Sequence, residues 1–136
     1  MAVRNGGEFI EGLRRSPREV WVAGRRVDDV TADPVFARPV RALAMLYDLQ
    51  CEAANRETMT CVEDGETFGT SFLIPRRPDD LIKRRQAFKI WAEASFGMLG
   101  RSPDFLNTVL MACAENADFF GRRGARFADN VRNYSR

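Results

Sequence analysis

Trp91-Ala92-Glu93-Ala94-Ser95-Phe96-Gly97-Met98-Leu99-Gly100-Arg101-Ser102-Pro103-Asp104-Phe105-Leu106 joins two helical patterns through a turn that is bracketed by glycines and carries one arginine. Ser102 has a hydroxyl that can cap a helix, Pro103 suits the first helical position, where no backbone N–H is needed, and Asp104 places negative charge in the first turn. The spacing therefore predicts a helix from Pro103 to about Glu115. Arg101 falls just outside the positive end of that helix, where the macrodipole gives a cation no favour, so its guanidinium either faces an anion or is simply solvated. Gly97 and Gly100 leave room for a ligand or another backbone.

Upstream, Pro78-Asp79-Asp80 opens the longest helical pattern, with Leu81, Ile82, Arg85, Phe88, Trp91, Ala92, Ser95, Phe96 and Leu99 on one face, and Trp91 and Phe96 read as core. A short amphipathic helix around Glu8, Phe9 and Leu13 should end near Arg14 and Arg15. Glu19–Val30 reads as a hairpin turning at Ala23-Gly24, and Thr58–Leu73 as a second turning at Asp64-Gly65. Asp33-Pro34 begins another helix through Val40, Leu43, Ala44, Leu46 and Tyr47, which Pro39 should break in two. The helix after Pro103 is apolar on several sides through Phe105, Leu106, Val109, Leu110, Met111 and Ala112, which implies burial between other elements. A last helical pattern covers Phe127–Tyr134 and runs to the chain end without a glycine or asparagine cap, as expected of a chain cut before its next element. The fold expected is mainly α with two short β-hairpins, in a single domain over residues 1–136.

Composition narrows the chemistry. With 136 residues, 45% of them hydrophobic, the chain can build a core. A net charge of +2 from 21 basic and 19 acidic residues makes no field that would draw nucleic acid or a membrane surface. The arginine pairs Arg14-Arg15, Arg76-Arg77, Arg84-Arg85 and Arg122-Arg123 are scattered, which suits solvated or subunit-contact roles. Cys51, Cys61 and Cys113 are odd in number and widely spaced, so neither a disulfide framework nor a zinc site is indicated, and a cytoplasmic setting is expected. No apolar run approaches the ~18 residues that a bilayer span needs. The chain has no histidine, which removes Ser-His-Asp and Cys-His catalysis and the common zinc sets. No residue stands out as catalytic, and no metal site is expected.

Ser71-Phe72-Leu73-Ile74-Pro75, Gly97-Met98-Leu99-Gly100-Arg101-Ser102-Pro103-Asp104-Phe105 and Phe127-Ala128-Asp129-Asn130-Val131-Arg132 together resemble the 4-hydroxyphenylacetate 3-monooxygenase family, oxygenase component. The similarity runs over nearly the whole chain and matches the N-terminal, mainly helical domain of an acyl-CoA dehydrogenase-like flavin monooxygenase, which in the family precedes a β-barrel and a C-terminal four-helix bundle. The resemblance implies a homotetramer in which a separate flavin reductase supplies reduced FAD, dioxygen is consumed, and a bound phenol is hydroxylated on its ring. It implies substrate binding by Arg101, Ser102, Pro103, Asp104 and Phe105, with Ser102 and Asp104 shaping the pocket rather than acting as acid or base. The flavin-binding residues are not assigned.

The family's 4-hydroxyphenylacetate enzymes have tyrosine where this chain has Phe105, which resembles the branch acting on chlorinated or nitrated phenols. By position alone Phe105 could equally be a core residue facing Val109. The family histidine lies beyond residue 136, so the 136 residues alone are not expected to turn over. The competing expectation is a non-catalytic helical module that binds another polypeptide through the apolar faces of its last two helices.

Overall fold

The computed structural model describes residues 3–98 and 104–134, without the side chain of Asp104. The described residues gather into two compact units, Val3–Arg56 and Glu57–Arg136.

In the first unit, helix α1 (Gly6–Arg15) ends where the sequence places it. Asn5 Oδ1 accepts the Glu8 N–H and the Glu8 carboxylate accepts the Asn5 N–H, so two otherwise orphaned donors are satisfied reciprocally. Strands β1 (Val20–Val22) and β2 (Arg25–Val27) pair antiparallel, with Trp21 opposite Arg26. Ala23 and Gly24 between them have φ of 48° and 77°, the handedness that matches strand twist in a two-residue hairpin. Helix α2 (Ala37–Cys51) packs on α1, where Phe9 stacks on Tyr47 with ring centroids 4.8 Å apart. Pro39 does not break it. It is the third helical residue, whose N–H would have no intrahelical partner, and the first bond of the ladder runs from the Val40 N–H to Phe36 O. Asp33 caps a turn ahead of the helix, accepting the Val35 N–H, so the helix begins at Ala37 and not at Pro34.

In the second unit a short helix α3 (Arg56–Met59) precedes strands β3 (Thr60–Glu63) and β4 (Glu66–Gly69). These pair from Thr60–Gly69 to Glu63–Glu66, and Asp64-Gly65 makes the turn with φ of 51° and 79°. Two ends of this hairpin differ from expectation: Met59 is helical, and Thr70–Phe72 is a 3-10 turn in place of strand. Helix α4 (Pro78–Ala94) is followed by α5 (Asp104–Glu115), α6 (Ala117–Gly121), which the sequence did not announce, and α7 (Ala125–Tyr134). The 3-10 turn touches both α4 and α5, and α7 packs on α5 and α6. Met59, Thr70, Ser71, Ala87, Trp91, Met111, Ala117 and Ala128 are buried.

Two expectations about faces are corrected. The buried face of α4 carries Arg84, Ala87 and Trp91, whereas Leu81 and Ile82 are exposed. Phe96 is 92% exposed instead of core. It follows Ser95 at the helix end with φ of 51°, donating its N–H to Glu93 O while Gly97 donates to Ala92 O. This is the paired ending in which a left-handed residue turns the chain out of the helix, here with phenylalanine where glycine is usual. Leu99, assigned to the same face, lies outside the described residues.

Candidate functional site

Of the five residues expected to meet a substrate, Arg101, Ser102 and Pro103 lie outside the described residues, as does Gly100. The backbone of Asp104 is the first residue of α5, in keeping with the helix start read from the sequence. Phe105 is 57% exposed, so it is not a core residue facing Val109. Leu106 and Val109 are exposed beside it, and Met111 is the buried apolar residue of this helix. The expected burial of α5 between other elements is therefore corrected: its apolar residues are largely presented outward.

What holds α5 is mostly polar. Asn107 Nδ2 donates to Ser71 Oγ over 2.8 Å. Arg84 Nη2 donates to Thr108 Oγ1 over 2.6 Å, while Nη1 donates to the carbonyls of Ser71, at 2.9 Å, and Leu73. The guanidinium lies 5.2 Å from the Phe88 ring centroid, and the residue is only 5% exposed. Arg84 is thus no solvated member of an arginine pair. Composition hid it, but its spacing with Ala87 and Trp91, at i+3 and i+7, was the available signal.

At the far end of α5, Arg76 grips Glu115 through both carboxylate oxygens, Nη2 to Oε2 at 2.7 Å. That contact holds the Glu115 carboxyl below its ordinary range. Asp80 accepts the N–H groups of Arg76 and Arg77 at the start of α4, which lowers its carboxyl likewise.

A separate cavity of about 560 Å³ opens among Phe119, Phe120, Arg122, Arg123 and Phe127. Arg122 lies over the Phe119 ring, 5.3 Å from its centroid. Among the described residues no group of three or more His, Cys, Asp or Glu could hold a metal ion, and no helix is long and apolar enough to cross a membrane.

The family model for the N terminus of 4-hydroxyphenylacetate 3-hydroxylase matches residues 5–136. The chain belongs to this family. The 4-hydroxyphenylacetate 3-monooxygenase oxygenase component of Thermus thermophilus is 50% identical over 133 residues, which covers 98% of this chain and 27% of that protein. The crystal structure of an oxygenase component of 4-hydroxyphenylacetate 3-monooxygenase, complexed with FAD and 4-hydroxyphenylacetate, superposes with a TM-score of 0.88 at 50% identity, over 97% of this chain and 27% of that one. A 4-hydroxybutyryl-CoA dehydratase from N. maritimus shares the fold, with a TM-score of 0.75 at 17% identity over 96% of this chain and 27% of its own. The chain thus spans about a quarter of the length of the relatives it matches. The mainly helical fold with two small hairpins agrees with that read from the sequence.

Proposed function

We propose that residues 1–136 form the N-terminal domain of a reduced-flavin-dependent aromatic monooxygenase that hydroxylates 4-hydroxyphenylacetate or a substituted or halogenated phenol. In this reading Arg101 holds a phenolate or carboxylate oxygen, Ser102, Pro103 and Asp104 shape the pocket, and Phe105 lines it. The observation that carries the reading is the 50% identity along 98% of the chain to an oxygenase component. The outward position of Phe105 at the start of α5 supports it, since a ring in contact with substrate cannot be spent on the core.

FAD in the related crystal structure is the cofactor we assign to the complete enzyme, where it would supply the activation of dioxygen. No residue of this chain is assigned to its binding. The part this chain plays is to bind and orient the phenol and to exclude water around it. A separate flavin reductase, a homotetrameric assembly and a cytoplasmic location belong to the same proposal.

The test is to supply the complete polypeptide that carries this chain with reduced FAD, dioxygen and a panel of 4-substituted phenols. A catechol product from at least one of them is expected, and none from any would overturn the reading. The outward Phe105, Leu106, Val109 and Tyr134 favour one second reading, a docking module for another polypeptide. A monodisperse monomer that binds no hydrophobic dye would remove it.

A further inference from the structure

Helices α6 and α7 are joined by a turn that holds them close. A Cβ on Gly121 would stand 3.3 Å from that of Ala128, and Gly124 has a φ of 141°, a conformation that other residues rarely adopt. The Gly124 N–H donates to Gly121 O and the Phe127 N–H to Gly124 O, so the turn carries its own hydrogen bonds. This approach brings Phe119 and Phe120 of α6 to the same cavity of about 560 Å³ as Phe127 of α7. Phe119 is 63% exposed and Phe127 38%, rings that lack partner atoms on the cavity side.

The charge around these rings is uncompensated. Elsewhere in this unit Arg76 is paired with Glu115, and Arg132 with Asp118 and Asp129. Arg122 instead lies over the Phe119 ring and Arg126 over the Phe127 ring, 4.7 Å from its centroid. Neither of them, nor Arg123, meets a carboxylate among the described residues. Asp118 and Asp129, the acidic residues of α6 and α7, are the ones that Arg132 holds, and the first turn of α7 has none. Aromatic rings with arginine are the usual anchors at the buried centre of an interface. What complements them is an apolar side chain to fill the cavity and a carboxylate to accept a guanidinium fork.

We propose that this cavity is the place where a later part of the complete polypeptide docks, through a segment that presents a carboxylate beside an apolar side chain. The inference rests on the reading of residues 1–136 as the N-terminal domain of a longer enzyme. The oxygenase component that superposes on this chain has the matching fold over 27% of its length, which leaves about three quarters of such a polypeptide to cover surfaces of this kind. Tyr134, at the end of α7, is about 10 Å along the helix axis from Phe127. Chain that follows α7 is therefore tethered beside the cavity, at an effective concentration that a second copy or a separate protein does not reach.

The experiment puts the photo-crosslinking residue p-benzoylphenylalanine in place of Phe119 in the complete polypeptide. Isotopically light and heavy copies are mixed before assembly, so that mass separates cross-links within one chain from those between chains. Irradiation should join position 119 chiefly to a residue beyond 136 of the same chain, with an Asp or Glu close by in sequence. Arg122→Glu combined with Arg123→Glu should lower the yield about tenfold, since like charges are then opposed across the contact, whereas Arg122→Lys with Arg123→Lys should lower it less than about threefold. Changing the neighbouring Asp or Glu to Arg in the doubly acidic variant should restore the yield.

Cross-links only between chains, only to another protein, or none at all would overturn the inference, as would equal yields in the Glu and Lys variants or no restoration by the exchange of charges. All the altered side chains are exposed, so the variants fold whether or not the contact exists. Catechol formation is measured on the same wild-type preparation. Product without a same-chain cross-link overturns this inference alone. A same-chain cross-link without product supports the docking surface and overturns the hydroxylase reading.

Discussion

Gly6 has no room for a methyl group. A Cβ there would stand 2.5 Å from the Ala44 carbonyl oxygen and 2.7 Å from Asp48 Oδ2, while the Gly6 N–H already donates to Asp48 Oδ1. Gly6→Ala must push α1 off α2 and should lower unfolding free energy by about 1–3 kcal/mol in urea titrations, the usual cost of overpacking against backbone. Asp80 makes a prediction of a different kind. Its carboxyl is held below the usual 3.8 by the Arg76 and Arg77 N–H groups, so the stability it confers is complete above the unfolded value and is lost as pH falls through the folded one. Thermal midpoints of wild type and Asp80→Ala should therefore differ at neutral pH and converge in acid, once the pH has fallen through the lowered folded value.

The helices and hairpins test the local rules. Because Pro39 sits before the first bond of the α2 ladder, Pro39→Ala should leave helix content unchanged by circular dichroism and cost less than about 1 kcal/mol, through the freer unfolded chain alone. Ala23 occupies a left-handed turn position that asparagine tolerates better, so Ala23→Asn should stabilise by about 1 kcal/mol in the same titrations. What was legible in the sequence follows the same logic. Both hairpin turns, the end of α1 at Arg14-Arg15, and Pro78 with Asp80 at the start of α4 are decided by residues within three or four positions of each other, and all of these appear as read. Faces are decided by what lies across them. Leu81, Ile82 and Phe96 look like core by type but are exposed, because the neighbouring face of α4 carries Arg84 with its acceptors on the 3-10 turn. The same tertiary context turned Phe105 outward, and no periodicity along α5 reports it. Of the candidate site, the helix start at Asp104 was readable from the Ser-Pro-Asp pattern, whereas the hydrogen bonds of α5 to Ser71 and Arg84 join residues far apart in sequence.

Across the whole molecule, membership in the 4-hydroxyphenylacetate 3-hydroxylase family accounts for features that a self-contained helical module would leave idle. An outward aromatic ring begins α5, an aromatic and arginine-lined cavity opens beside α6, and apolar side chains stand exposed on α5 and α7. All of these sit in a chain that spans about a quarter of its relatives' length. The account stands or falls on Arg101 as the group that holds the substrate's negative oxygen. The direct measurement is the dissociation constant for 4-hydroxyphenylacetate, or for whichever phenol the complete polypeptide hydroxylates, in wild type and Arg101→Ala. Removing a charge-assisted contact to an anion should weaken binding by about tenfold to a hundredfold with FAD affinity unaltered. Equal substrate affinity in the two proteins would contradict the account.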